Sequence, residues 1–140
     1  MGTMQETILL VDDHRAVRRA LRVVLERAGY GVLEAPSGER AVEIAREHGG
    51  AIHLLVTNVV MPGQDGFELA QIVRSLRPAV KVLFISGHLG DRLTARPVES
   101  MGSYLAKPFR APDLRRALDE LRAQNPAGRR LPAATRPSAE

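Results

Sequence analysis

The chain has no cysteine and no tryptophan. Without cysteine, a disulfide scaffold, a thiolate zinc site and a cysteine nucleophile are excluded, and a reducing compartment suits the chain. Aromatic residues are scarce, three Phe and two Tyr, 4% of 140 residues, which leaves no set of base-stacking platforms for single-stranded nucleic acid. Long apolar runs are missing too. The longest strongly apolar stretches, Ile8 to Val11 and Val82 to Ile85, are four residues each, whereas a bilayer span takes about 20 and the core of a secretion signal about 7–15. A cytoplasmic protein without membrane attachment is expected. Nor does the body carry a strong excess of one charge. The formal net charge is +4, but Gln124 to Glu140 holds Arg129, Arg130 and Arg136 against Glu140 and so accounts for half of it. The remainder has no basic footprint for direct nucleic-acid binding.

What is present is the composition of one folded domain, 44% hydrophobic and 26% charged, at a length that suits a single core. Met1 to Gln5 read as an N-terminal extension or expression remnant. The stretch from Gln124, with Pro126, Gly128, Pro132 and Pro137 and no apolar period, reads as an extended or disordered tail, which places the domain at Glu6 to Ala123. Within it, short runs rich in Val, Ile and Leu alternate with segments of helical period, the pattern of repeated strand-helix units on a parallel sheet. Ile8 to Val11 is a strand. Ala16, Val17, Ala20, Leu21, Val24, Leu25 and Ala28 then recur at helical spacing until Gly29 stops the helix. Val32 to Ala35, Ile52 to Thr57, Val80 to Ile85 and Tyr104 to Ala106 read as the remaining strands. Ser37 is expected to cap the second helix and Asp65 the third, and Pro112 opens the last. Between Gly87 and Gly102, Pro97 stands where a fourth helix belongs, so a short or irregular one is expected.

Ligands of such a sheet gather at the carboxyl ends of the strands. The residues that follow the apolar runs are Asp12 and Asp13, Asn58, Ser86 and Lys107. Two adjacent carboxylates repel unless a cation lies between them, and oxygen donors suit a hard ion such as magnesium. With Lys107 as a mobile positive charge and Ser86 as a hydroxyl donor, the set would cradle phosphoryl oxygens. No glycine-rich turn follows the first strand, where Asp12-Asp13-His14-Arg15 stands, and no P-loop pattern occurs, which disfavours a nucleotide-binding enzyme. His14, His48, His53 and His88 have no metal-ligand spacing and read as surface or local structure. The arginine-rich faces of the first and last helices read as solvated rims, with Arg18, Arg19 and Arg22 also suited to an acidic partner surface.

Ile8-Leu9-Leu10-Val11-Asp12-Asp13, the loop Met61-Pro62-Gly63-Gln64-Asp65-Gly66, Ser86-Gly87, Tyr104 and Lys107-Pro108-Phe109 together resemble the receiver domain of two-component response regulators over Glu6 to Ala123. The resemblance implies a flavodoxin-like α/β fold, a doubly wound five-stranded parallel sheet in the order 2-1-3-4-5 with helices on both faces. It implies a signalling module rather than an enzyme, one that takes a phosphoryl group from a histidine kinase or phosphotransfer protein onto an aspartate, with Mg2+ as cofactor and an effector protein downstream. Carried over, Asp12, Asp13, the position of Asn58 and the Val60 carbonyl would hold the metal, Ser86 and Lys107 would bind the phosphoryl group, Ser86 and Tyr104 would form the switch, and Lys107-Pro108 would be a cis peptide. Phrases such as Ala28-Gly29-Tyr30 and Leu76-Arg77-Pro78 are similar to receivers of hybrid histidine kinases. A homodimer, if formed, is expected through the fourth-helix face.

One residue departs from that pattern. Asn58 occupies the phosphoacceptor position, and a neutral amide is not a carboxylate nucleophile. Silencing of phosphorylation and weakened metal binding are expected. Two readings of the departure stand open: an aspartate replaced to silence the domain, or a receiver natively without an acceptor that works as a protein-interaction module.

Overall fold

A computed structural model describes residues 5–87 and 102–123. The chain runs β1 (Thr7–Val11), α1 (Arg15–Arg27), β2 (Gly31–Ala35), α2 (Gly38–Glu47), β3 (Leu54–Asn58), α3 (Gly66–Leu76), β4 (Lys81–Ser86), β5 (Ser103–Ala106) and a C-terminal helix, α4 (Ala111–Arg122). The helix expected between the fourth and fifth strands, with Pro97 and His88, and the tail from Gln124 lie outside the described residues.

The five strands form one sheet in the order β2-β1-β3-β4-β5, every pair parallel. Side chains of a strand alternate between faces, so a sheet covered on both sides needs apolar residues at consecutive positions. That is why β1, β3 and β4 read as unbroken apolar runs. Leu9, Val11, Leu55, Val82 and Phe84 point to one side and pack with Ala41 and Ala45 of α2 and Phe67, Ala70 and Val73 of α3. Ile8, Leu10, Leu54, Val56, Leu83 and Ile85 point to the other and pack with Leu21 and Leu25 of α1 and Leu114, Leu118 and Leu121 of α4. Truncating any of these fully buried leucines to alanine would cost about 2–5 kcal/mol.

The expected helix signals act as local chemistry requires. Ser37 Oγ accepts from the Arg40 N–H at 3.1 Å. Asp65 Oδ1 accepts from the Glu68 N–H at 2.8 Å and Glu68 reaches back to the Asp65 N–H, a reciprocal box that satisfies two orphan donors of α3. Pro112 lies in the first turn of α4, and Asp113 Oδ2 accepts from the Arg110 N–H.

Strand boundaries shift by one or two residues. β3 begins at Leu54 rather than Ile52, and β4 spans Lys81–Ser86 rather than Val80 to Ile85. Ile52 and Val80 are buried without belonging to a strand, because an apolar run reports burial, whereas a strand boundary reports hydrogen-bonded pairing. On α1 the periodic residues divide. Leu21 and Leu25 are buried, but Ala16, Val17 and Ala20 are exposed, so the apolar stripe extends beyond what the sheet covers.

Candidate functional site

The strand register brings the expected polar residues to one edge. Val11 pairs with Thr57, which sets Asp12 beside Asn58; Asn58 pairs with Ile85, one residue before Ser86; and Ser86 pairs with Ala106, one residue before Lys107. The ladder runs on past the strands: the Val59 N–H donates to the Ile85 carbonyl at 2.9 Å and the Lys107 N–H to the Ser86 carbonyl at 2.8 Å.

Asp12, Asn58 and Ser86 are buried, at 1%, 8% and 5% exposure. Asp13 and Lys107 are exposed. Asp12 uses one carboxylate oxygen, Oδ1, to accept from the His14 N–H at 2.8 Å just ahead of α1. Its Oδ2 and the Oδ1 of Asn58 are both buried with no hydrogen-bond partner among the described residues. Buried polar oxygens rarely stay unpaired, since each costs about 1–3 kcal/mol. Two such acceptors at the ends of adjacent strands suit a cation, which both a carboxylate and an amide oxygen can ligate, the carboxylate more strongly. The donor set therefore fits a hard divalent ion such as Mg2+.

After β3 the chain turns sharply through Val60, whose side chain is 66% exposed, to Met61, which is buried. Pro62 and Gly63 form a turn in which Gly63 takes φ +81°, the left-handed conformation glycine accepts without strain. The Lys107–Pro108 peptide is cis. Tyr104 on β5 lies inward against Phe84, ring centroids 5.5 Å apart, with Phe67 edge-on at 6.5 Å.

The arginines of α1 correct one expectation. Arg18 is not on a solvated rim: its Nε donates to Glu34 Oε1 at 2.8 Å and its Nη1 to the Asp12 carbonyl at 2.9 Å. Arg22 joins the same glutamate from the exposed side. These guanidinium groups, Arg22 foremost, hold the Glu34 carboxyl below its usual range against the opposing effect of burial. Sequence reasoning missed this pair because no spacing connects a helix arginine with a residue of the next strand. It missed Arg77 for the same reason, although its guanidinium closes the end of α2 through three backbone carbonyls.

The chain is a doubly wound parallel α/β protein that gathers Asp12, Asn58, Ser86 and Lys107 at the carboxyl ends of β1, β3, β4 and β5. The chain belongs to the response regulator receiver domain family, whose model matches residues 8–119. It is similar to the sensor kinase CckA of Brucella abortus (strain 2308), 38% identical over 82% of this chain, and spans 12% of that kinase's length. It is 35% identical to the response regulator receiver protein CpdR of the same organism over 81% of this chain and 94% of that protein. Among solved structures, the receiver domain of the hybrid histidine kinase CckA aligns with a TM-score of 0.70 at 36% identity, covering 82% of this chain and 97% of that one. A response regulator receiver protein from Sinorhizobium medicae WSM419 aligns at 0.74 with 30% identity, over 84% and 94%. Among the described residues no helix is long and apolar enough to cross a membrane.

Proposed function

We propose that the chain is a receiver whose phosphoacceptor position is Asn58, so that it engages a histidine kinase or phosphotransfer protein without taking up the phosphoryl group. The observation that carries this reading is the buried, unpartnered Oδ1 of Asn58 beside the equally unpartnered Oδ2 of Asp12. Magnesium, when bound, supplies positive charge against the phosphoryl oxygens. Asp12, Asp13, the Asn58 amide oxygen and the Val60 carbonyl would hold it. With an aspartate at position 58, the Ser86 hydroxyl would donate to one phosphoryl oxygen and the exposed Lys107 ammonium would pair with another, while Tyr104 and Ser86 would read out the state of the pocket.

Transfer to an aspartate requires a carboxylate oxygen to form the bond to phosphorus as the donor's P–N bond breaks, the electron pair staying on the leaving imidazole, which is protonated. Asn58 provides a neutral amide whose oxygen is a poor nucleophile, so the first bond does not form.

Intact-mass measurement of the chain and its Asn58→Asp variant, each incubated with Mg2+ and a small phosphoryl donor, tests the reading. Gain of one phosphoryl group by the variant alone supports it. Gain by the unsubstituted chain overturns the assignment of Asn58, and gain by neither transfers the function to a protein-interaction module that natively lacks an acceptor.

A further inference from the structure

Asp12 is tied down at nearly every polar atom. Its N–H donates to the Ala35 carbonyl at 3.2 Å, its Oδ1 accepts from the His14 N–H, and its carbonyl accepts from Arg18 Nη1. Oδ2 alone is left without a partner among the described residues. Arg18 is itself braced by Glu34, and the two side chains are only 13% and 19% exposed. Glu34 stands on β2 in register with Leu10, two residues before Asp12 on the neighbouring strand. A side chain of α1 thus fastens the end of β1, at the residue that bears the unpartnered carboxylate oxygen, to a side chain of β2.

We propose that Arg18 is a positioning residue of the cation site, an inference that rests on the reading of that site given above. Its guanidinium, oriented by Glu34, fixes the Asp12 main chain so that Oδ2 keeps a single direction toward the ion. The planar fork suits this task because one Arg bonds a carbonyl and a carboxylate together, which a lysine ammonium on a flexible stem does less well.

Two physical effects of removing Arg18 have opposite signs. Taking a positive charge away from a cation site relieves repulsion, so electrostatics alone predicts tighter binding. Loss of orientation predicts weaker binding, and groups that support a ligand from behind change metal affinity by about 10–100-fold when mutated. The loss must also depend on the ion. Mg2+ demands near-ideal octahedral geometry, whereas Ca2+ accepts irregular arrangements, so a loosened Asp12 penalises Mg2+ more than Ca2+. A role confined to fold stability would give neither this sign nor this selectivity.

The test is calorimetric titration of the full chain with MgCl2 and with CaCl2, without any phosphoryl donor, in the parent and in the Asn58→Asp background. Arg18→Met is expected to weaken Mg2+ binding about 10-fold and Ca2+ binding distinctly less, with Arg18→Lys recovering part of the loss. Glu34→Ala, which keeps Arg18 but removes its brace, is expected to show the same ion selectivity and carries the test if Arg18→Met does not fold. Unchanged or tighter Mg2+ binding in folded Arg18→Met, or equal losses for the two ions, overturns the proposal. Failure of both the parent and Asn58→Asp to bind Mg2+ overturns the cation site itself, a result distinct from binding that ignores Arg18.

Discussion

Gly66 approaches the main chain of Asn58 so closely that a Cβ on it would overlap the Asn58 carbonyl oxygen. The same junction is fastened by the Gly66 N–H, which donates to the Val59 carbonyl at 2.7 Å, and by Thr57 Oγ1, which donates to the Asn58 carbonyl at 3.1 Å. The first residue of α3 therefore sets the position of the residue that ends β3. Gly66→Ala forces backbone atoms apart rather than a flexible side chain, and such overpacking costs about 1–3 kcal/mol. Urea unfolding measures the loss, and a displaced Asn58 side-chain amide resonance shows that it reaches the pocket. A variant as stable as the parent would show that the strand end yields.

Arg77, at the end of α3, donates through Nε, Nη1 and Nη2 to the carbonyls of Ala45, Gly50 and His48 at 2.9, 2.7 and 2.7 Å. The last carbonyls of a helix have no partners within it, so one guanidinium supplies what α2 lacks and joins it to its neighbour. Arg77→Ala is expected to lower stability by about 1–3 kcal/mol, because hydrogen bonds to a charged donor are the stronger kind and partial rehydration offsets some of the loss. Arg77→Lys should recover less than half, since one ammonium cannot span three carbonyls. Equal stabilities of the Ala and Lys variants in thermal melts support the geometric account only if both fall below the parent.

Glu34 adds a pH dependence whose sign follows from its partners. Hydrogen bonds from Arg22 and then Arg18 lower its folded pKa below the ordinary 4.5. The folded state thus holds this proton less readily than the unfolded chain does, so the contribution to stability is present above the unfolded pKa and disappears as pH falls through the folded value. Arg22, the partner foremost in lowering it, is exposed, so the effect is correspondingly small. Glu34→Gln should flatten the fall in Tm as pH drops below the ordinary 4.5, relative to the parent. Parallel curves for the two proteins would remove Glu34 from the acid response.

The sheet was legible because its central strands are covered on both faces, which turns Ile8 to Val11 and Val82 to Ile85 into unbroken apolar runs, and because Asp65, Ser37 and Pro112 act on neighbours within four residues. The edge of the pocket was legible for a related reason: in a parallel sheet, whatever follows each run shares one end of the strands, which brings Asp12, Asn58, Ser86 and Lys107 together. Arg18 and Arg77 were not legible. Arg18 bonds a carbonyl 6 positions away and a carboxylate 16 away, Arg77 bonds carbonyls 27 to 32 positions away, and backbone carbonyls leave no mark on the identity of the residue that bears them. Val17 was misleading in another way, since apolar spacing shows that a helix forms but not how far along its length the sheet extends.

Asn58→Asp has a consequence for stability that is separate from any phosphoryl transfer. Position 58 and Asp12 are both buried at the ends of paired strands, so the substitution places a second carboxylate next to one whose Oδ2 already lacks a partner. Without a cation the two negative charges repel in a site poorly screened by water, and the variant is expected to be less stable than the parent by about 1–3 kcal/mol at neutral pH. Magnesium reverses the order. An ion that binds only the folded state stabilises by RT ln(1 + [L]/Kd), about 2.7 kcal/mol at a hundredfold excess over Kd, and the added carboxylate tightens Kd, so the Mg2+-induced rise in Tm must be larger for the variant than for the parent. Thermal melts of both proteins in EDTA and in a Mg2+ series measure this crossover. A variant that is destabilised in EDTA yet gains no more from Mg2+ than the parent does would place the cation elsewhere than between Asp12 and position 58.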